Sequence, residues 1–197
     1  GQALALQAHI GRTEDLQALV SQTLEHFGRL DILVNNAATN PHFGPLLAAD
    51  EGQWNKIMDT NAKGVFRACQ AVVPQMQAQG GGKIINIISL AGLQPMPGLG
   101  LYGITKAAVL MLTKVLASEL GAANIQVNAI APGAIETPAF QQYLQGLQPA
   151  QLNALWQIIP LGRMGRPEEY AALAAHLASG ECYLVGEIIN ASGGAVI

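Results

Sequence analysis

The sequence contains little charge. Only 12% of its 197 residues are charged, whereas 50% are hydrophobic, and a typical soluble domain carries about 25% charged residues. Intrinsic disorder requires the opposite balance, so the composition excludes a disordered chain. The 10 lysines and arginines are scattered and are outnumbered by 13 acidic residues, which leaves a net charge of −3. We therefore expect no nucleic-acid partner.

Cysteines and long apolar runs are also scarce. The two cysteines, Cys69 and Cys182, are too few for a disulfide framework and are typical of a reducing compartment. Pro, Gly, Gln and Asn interrupt the two longest uncharged stretches, 84–105 and 137–162, so neither has the roughly 18 consecutive apolar residues of a membrane span. The N-terminus lacks the pattern of a signal peptide. We expect a cytoplasmic protein with no membrane partner.

Three functional signatures are missing as well. The four histidines are dispersed without paired-ligand spacing, so no metal site is expected. No G-x-S-x-G sequence occurs, which disfavours a hydrolase. No glycine-rich fingerprint of the kind that cradles a pyrophosphate at a helix N-terminus occurs either.

What the sequence does contain is an alternation of short β-branched runs with longer helical patterns. The runs predict strands over 2–10, 31–34, 83–88, 125–130 and 187–190. The helical patterns lie over 51–79, 102–120, 149–158 and 167–177, and one more is capped by Thr13 and ended by Gly28. This alternation implies parallel βαβ units. We predict a single α/β domain over 1–197, with a doubly wound, Rossmann-like parallel sheet.

Ligands of such sheets bind beyond the carboxyl ends of the strands. Small and polar residues stand at three of these ends: NNAA at 35–38, Ser89, and Pro132 with Gly133. They suggest a crevice that a ligand approaches closely, although each could also be an ordinary turn residue.

Tyr102 and Lys106 stand four residues apart at the start of a predicted helix and therefore share a face. An ammonium group beside a phenol lowers a pKa that is otherwise about 10, which suits Tyr102 to proton transfer. A solvated contact on the helix surface is the alternative. Ser89 either hydrogen-bonds a substrate oxygen beside the phenol or caps a turn. Asn61, a poor helix former inside a helical pattern, either marks a kink that holds a water or is a tolerated surface residue.

Five segments together resemble the short-chain dehydrogenase/reductase family, in its order and at its spacing over nearly the whole chain. They are NNAA at 35–38, DTNAKGVF at 59–66, Ser89, YGITK at 102–106 and PGAIETP at 132–138. HIGRTED at 9–15 and NNAATNPHFG at 35–44 further resemble its carbonyl-reductase branch. The resemblance implies an enzyme that interconverts a small-molecule carbonyl and a secondary alcohol with NAD or NADP.

The resemblance also implies roles for individual residues. Tyr102 would exchange a proton with the substrate oxygen, Ser89 would orient that oxygen, and Asn61 would hold a water in the proton relay. Lys106 would bind the nicotinamide ribose and lower the pKa of Tyr102. The cofactor-binding positions would be His9, Asn35, Ala37, Tyr102, Lys106, Pro132, Gly133, Ile135 and Thr137.

The sequence departs from the family pattern in several places. Ala38 replaces a Gly, His9 stands where many members have an Asp near the adenine, Val185 replaces a Thr, and Ser192 replaces an Asp. The N-terminal βαβα portion with its glycine-rich turn is also missing, on the order of 50 residues. If the chain starts at Gly1, we expect weak cofactor binding and little activity. The alternative function is then a non-catalytic remnant that acts as a binding or assembly module.

The uncharged stretch 137–162 matches the part of the family that covers the active site. It suggests an apolar substrate through the side chains of Phe140, Tyr143, Leu144, Leu147, Leu155 and Trp156. Helices that simply pack on the domain are the alternative. The family commonly uses helices matching 51–79 and 102–120 to build a homotetramer, which we also expect here.

Overall fold

Four parallel strands form one sheet in the computed structural model, which describes residues 1–145 and 148–196. The strands are β1 (Ile32–Asn35), β2 (Gly82–Ile87), β3 (Ile125–Pro132) and β4 (Ile188–Ala191), and they lie side by side in that order. Parallel neighbours require crossover connections, and helices supply these. Because the strands are parallel, the carboxyl ends of all four meet at one edge of the sheet.

Seven α-helices pack around this sheet in the described residues. They are α1 (Thr13–Phe27), α2 (Glu51–Met58), α3 (Gly64–Ala78), α4 (Gly100–Leu120), α5 (Pro138–Gln145), α6 (Pro149–Gln157) and α7 (Pro167–Ala178). The predicted class, a Rossmann-like parallel sheet with flanking helices, is confirmed.

The core has two parts, one on each face of the sheet. On one face Ile84 of β2 and Val127 of β3 pack with Val72 of α3 and Val109 of α4. On the other face Ile85 and Ile130 pack with Leu177 of α7, Cys182 and partly buried neighbours. Neighbouring residues of β2 thus serve opposite faces, as the pleat requires. This explains the unbroken apolar runs of the central strands, which are buried on both sides.

The N-terminal segment 2–10 does not form the predicted strand. It is described throughout, but it pairs with no strand, and β1 is hydrogen-bonded only to β2. Ile32 and Val34 of β1 are 43% and 46% exposed. The alternation of apolar residues over 2–10 was therefore insufficient to predict a strand, because a strand also needs a partner strand to complete its backbone hydrogen bonds.

The N-terminus of α1 also differs from the prediction. The N-cap is Arg12, and Thr13 is already the first helical residue. A residue inside the helix has helical backbone angles. Its hydroxyl is therefore not placed to accept a hydrogen bond from the free backbone N–H groups of the first turn, as the side chain of an extended N-cap residue is. The predicted end at Gly28 is confirmed: its φ of 78° is left-handed, a conformation that glycine adopts without strain.

The predicted helix over 51–79 is interrupted. Between α2 and α3 the chain forms a π-helical segment, Asp59–Lys63, with Asn61 at its centre. Such one-turn bulges are frequent at functional sites. Asn61 therefore marks a local irregularity of the helix, and whether the helix axis bends there stays a prediction.

Helix α4 is the longest in the described residues, and its buried side chains show why. By length and composition alone, Gly100–Ala123 could cross a membrane, with a mean hydropathy of 1.3. In this fold, however, α4 lies against β3 and buries Thr105, Lys106 and Thr113. Core helices of globular proteins meet the same criterion, and 39% of the apolar window of α4 is buried in this fold.

Burial in the sheet predicts unequal effects for two matched substitutions. Ile130 in β3 is 0% exposed, so Ile130→Ala is expected to lower the free energy of unfolding by about 2–5 kcal/mol. Ile32→Ala in β1 removes the same atoms from a half-exposed position, and we expect a loss below about 1 kcal/mol. Urea denaturation followed by circular dichroism measures both. Equal losses would contradict the assignment of the core.

Candidate active site

A cleft of about 510 Å³ opens at the carboxyl ends of β1, β2 and β3. It is lined by Ser89 from the end of β2, by Tyr102 and Lys106 from the first turns of α4, and by the segment after β3. The cleft therefore lies at the edge of the sheet where the sequence predicted ligand binding.

Ser89 fulfils one of its two predicted roles directly. Its backbone is extended, and its Oγ accepts a hydrogen bond of 3.2 Å from the backbone N–H of Ala91, which caps the short turn Leu90–Gly92. The hydroxyl also lies close enough to the phenol of Tyr102 to lower its pKa. Capping the turn thus holds the hydroxyl at the cleft beside Tyr102.

Lys106 is buried beneath this pair. Its Nζ donates a hydrogen bond of 2.8 Å to the backbone carbonyl of Ile87, the last residue of β2. The same nitrogen lies 5.5 Å from the centroid of the Tyr102 ring, within the range of a cation–π contact. Two further N–H groups of the ammonium remain for a ligand.

Burial dominates the electrostatics of both side chains. It raises the pKa of Tyr102 to about 12, and the Ser89 hydroxyl lowers this pKa by less. Burial also lowers the pKa of Lys106 to about 8. The pKa of Tyr102 is therefore raised, whereas its spacing to Lys106 predicted a lowered pKa. Removal of the phenolate from water destabilises it more than the neighbouring groups stabilise it.

Asn61 is buried completely, so the alternative of a tolerated surface residue is wrong. Its Oδ1 accepts from the backbone N–H of Thr39, and its Nδ2 donates to the backbone carbonyl of Thr39, both at 2.8 Å. Nδ2 also donates to Oγ1 of Thr105 at 3.2 Å. Asn61 therefore lies behind the wall of the cleft and fixes the loop that follows β1.

The structure brings most of the predicted cofactor positions into the cleft. Those that line it are Tyr102, Lys106, Pro132, Gly133, Ile135 and Thr137. Gly133 permits a close approach, because a Cβ there would lie 3.0 Å from the Cα of Ser192 beyond β4. Small residues and free N–H donors of Lys106 fit the ribose and nicotinamide end of a dinucleotide.

Three predicted cofactor positions lie elsewhere. Asn35 is buried behind the cleft, where its Nδ2 donates to Oδ1 of Asn86 at 2.8 Å. Ala37 is exposed just after β1. His9 lies in the exposed N-terminal segment, where its backbone N–H donates to Asp15 and its ring accepts from the backbone N–H of Gly11. Their cofactor contacts stay predictions.

The outer half of the cleft is apolar. Of the side chains predicted to face a substrate, Phe140 and Leu155 line it, whereas Leu144 and Trp156 are only partly buried and are not among its lining residues. Leu147 and the side chain of Tyr143 lie outside the described residues. The sequence analysis missed Phe43, Met96, Leu99, Ile158 and Ile159.

Two loops that are far apart in sequence contribute Phe43, Met96 and Leu99 to the wall of the cleft. The backbone N–H of Gly44 donates to the carbonyl of Gly98 at 3.1 Å, which joins the loop after β1 to the loop before α4. The ring of His42 lies beneath, with Nε2 3.0 Å from the carbonyl of Pro45. Only the short sequence NPHFG hinted at this wall, because it depends on pairing between the two loops.

One polar group also lies in this wall. Oδ1 of Asn40 is buried and has no hydrogen-bond partner among the described residues. No group of three or more His, Cys, Asp or Glu side chains in the described part of the chain could hold a metal ion.

Comparison with known proteins shows similarity over almost the whole chain. A family model described as "Enoyl-(Acyl carrier protein) reductase" matches residues 1–196. The chain is 43% identical over 188 residues to "Dehydrogenase/reductase SDR family member 4" of Oryctolagus cuniculus, covering 95% of this chain and 72% of that protein. The human protein of the same name is 38% identical over 187 residues, covering 94% and 66%.

A bacterial protein and a solved structure show the same similarity. The 3-oxoacyl-acyl-carrier-protein reductase FabG of Thermotoga maritima is 40% identical over 185 residues, covering 93% of this chain and 73% of that protein. The structure "ElxO with NADP Bound" superposes with a TM-score of 0.88 at 30% identity, covering 96% of this chain and 77% of that one. The chain thus spans about two thirds to three quarters of the length of these proteins.

The buried ammonium group predicts a stability effect with a definite pH dependence. Because burial lowers the pKa of Lys106 to about 8, the folded state bears the cost of a buried charge below pH 8. That cost is relieved as the pH rises toward the unfolded pKa of about 10.4. Lys106→Met is therefore expected to raise the free energy of unfolding at pH 7 by on the order of 1 kcal/mol.

This gain over the wild type should shrink between pH 8 and pH 10. Urea denaturation of both proteins at pH 7, 8, 9 and 10 measures it. Lys114→Met removes an exposed lysine from the same helix and serves as the control. A gain that stays constant over this range would rule out burial of the charge as its cause.

Proposed function

This chain belongs to the short-chain dehydrogenase/reductase family, whose members use NAD or NADP, and we propose that it interconverts a carbonyl group and a secondary alcohol. The observation that carries the proposal is the meeting of the Ser89 hydroxyl, the Tyr102 phenol and the Lys106 ammonium group in one cleft. A proton donor, an orienting hydroxyl and a cation are the groups that a developing alkoxide needs.

The raised pKa of Tyr102 favours the proton donor role. With a pKa of about 12 the phenol keeps its proton at neutral pH, so it can donate to the carbonyl oxygen as that oxygen gains negative charge. Ser89 hydrogen-bonds the same oxygen and orients it beside the phenol. The nicotinamide, when bound, supplies the hydride in reduction and accepts it in oxidation.

Lys106 stabilises the phenolate that Tyr102 becomes after it has donated its proton. A positive charge near the Tyr102 ring offsets the cost of the buried phenolate. The hydrogen bond to Ile87 holds the ammonium group in place and leaves two N–H groups for the ribose hydroxyls of the cofactor. Because the pKa of Lys106 is about 8, this side chain can also pass a proton near neutral pH.

The proposed role of Asn61 is to hold a water in the proton relay. Both hydrogens of its amide are already used by Thr39 and Thr105. A water would therefore be held by the free lone pair of Oδ1 or by the backbone carbonyl, which the π-helical segment releases from the regular helical pattern.

The proposed substrate has an apolar part. Phe43, Met96 and Leu99 line the cleft, and Phe140 and Leu155 line it as well. Binding an apolar substituent between them removes both surfaces from water, which is worth about 25 cal/mol per Å². The apolar lining of the cleft supports placement in the carbonyl-reductase branch.

The proposed location is cytoplasmic. Both cysteines are free and buried, which supports it.

A second candidate is a binding or assembly module without catalysis. It is favoured by the half-exposed apolar side chains of Ile32 and Val34 on β1, which a partner could cover. Turnover of a nicotinamide cofactor separates it from the enzyme.

Removing the phenolic hydroxyl should abolish turnover. Tyr102→Phe is expected to reduce kcat by at least about 100-fold, because the variant lacks the hydroxyl that is proposed to protonate the substrate oxygen. Oxidation of NADH and NADPH, followed at 340 nm with a panel of aryl and alkyl ketones, measures it. Tyr183→Phe, at a 99% exposed position, is the control with full activity. Retained activity in Tyr102→Phe would refute the proton donor role.

We also propose a homotetramer. Phe66 on α3 and Met111 and Val115 on α4 are large apolar residues with 42–57% exposure, which a second copy of the chain would cover. Size-exclusion chromatography with light scattering is expected to give a mass about four times the 20.6 kDa of one chain. A monomeric mass would refute the assembly and leave the catalytic proposal intact.

A further inference from the structure

Thr105 lies between Tyr102 and Lys106 in sequence and faces away from the cleft. Its side chain is completely buried. Oγ1 donates a hydrogen bond of 2.7 Å to the backbone carbonyl of Tyr102 and accepts one of 3.2 Å from Nδ2 of Asn61. The single hydroxyl proton is therefore aimed at the residue that carries the phenol.

Asn61 extends this connection to the wall of the cleft. Its amide binds both the N–H and the carbonyl of Thr39, and Thr39 lines the cleft. Four hydrogen bonds thus join Thr39, Asn61, Thr105 and Tyr102, which we call the Thr105 link. The link connects the loop after β1, the π-helical segment and the first turn of α4.

The first turn of α4 lies at a helix terminus, and helix ends fray more readily than helix interiors. The Thr105 hydroxyl adds a side-chain donor to the Tyr102 carbonyl of this turn. Here that turn carries Tyr102, and it packs directly on the turn that Ser89 caps: a Cβ on Gly103 would lie 2.5 Å from the carbonyl oxygen of Ala91. A small outward movement of this turn would therefore separate the phenol from Ser89.

We infer that Thr105 is a positioning residue, whose hydroxyl holds the first turn of α4 against Asn61 so that Tyr102 stays in contact with Ser89. The inference rests on the proposed function. Through the Thr105 link, the position of Tyr102 would depend on the position of Thr39 in the wall of the cleft. Thr105 itself touches neither substrate nor cofactor.

The chain contains a closely matched control. Thr113 lies on the same helix, is also completely buried, donates to the carbonyl of Val109 at 2.8 Å and accepts from Nδ2 of a buried asparagine, Asn86, at 2.9 Å. Thr105→Val and Thr113→Val remove the same atoms and leave the same kind of buried N–H group without its acceptor. The two variants differ in whether the hydroxyl serves the first turn of α4.

Both valine variants are expected to lose similar thermal stability, but only one should lose activity. For Thr105→Val we expect kcat to fall about tenfold with the cofactor KM within about twofold, the effect of about one hydrogen bond. Thr113→Val should keep kcat within about twofold. Thr105→Ser restores the hydroxyl and should restore kcat.

A second measurement does not depend on turnover. In protein labelled with carbon-13 at the tyrosine Cζ, Tyr102→Phe identifies the Tyr102 signal, which should shift in Thr105→Val and stay in place in Thr113→Val and Thr105→Ser. Equal effects of the two valine variants, or failure of serine to restore wild-type behaviour, would overturn the positioning role. If the wild type turns over no ketone but the signal shifts as expected, the proposed function fails and the positioning role stands.

Discussion

The buried ammonium group of Lys106 is the constraint on which the rest of the site depends. A charge taken out of water must find an acceptor, since its desolvation is otherwise prohibitive. The acceptor is the carbonyl of Ile87 at the end of β2. That bond joins α4 to the end of β2, and Tyr102 stands one turn earlier on the same helix.

Polar side chains on both sides of this contact lock the same elements. Asn35 of β1 donates to Asn86 of β2, and Asn86 donates to Thr113 of α4. Asn61 joins the loop after β1 to the start of α4. Each of these amides is buried, so an unmade bond would cost about 1–3 kcal/mol. Of these bonds, the one from Asn61 to Thr105 lies beside Tyr102, whereas the one from Asn86 to Thr113 lies eight residues further along α4.

The same burial that locks the site changes its acid–base properties. Placing Tyr102 and Lys106 next to each other suggested a lowered phenol pKa, whereas burial raises it to about 12 and lowers that of Lys106 to about 8. Both shifts suppress charge in the site. The consequence is a phenol that keeps its proton at neutral pH, as the proposed proton donor role requires, and a lysine that can change its charge near neutral pH.

Local patterns in the sequence were sufficient for a parallel α/β sheet and for most helix positions, because hydrophobic period and helix-end signals depend on neighbouring residues. The joint roles of Ser89, Tyr102 and Lys106 were instead implied by the resemblance to a family. The local patterns were insufficient for segment 2–10, since a strand exists only with a partner, and for Thr13, which lies one residue inside its helix. The tertiary structure alone decided three features: the apolar lining at Phe43 and Leu99, the hydrogen bonds from Asn61 to Thr39, and the pKa of Tyr102. Each depends on groups that are distant in sequence and on the amount of water that packing leaves around them.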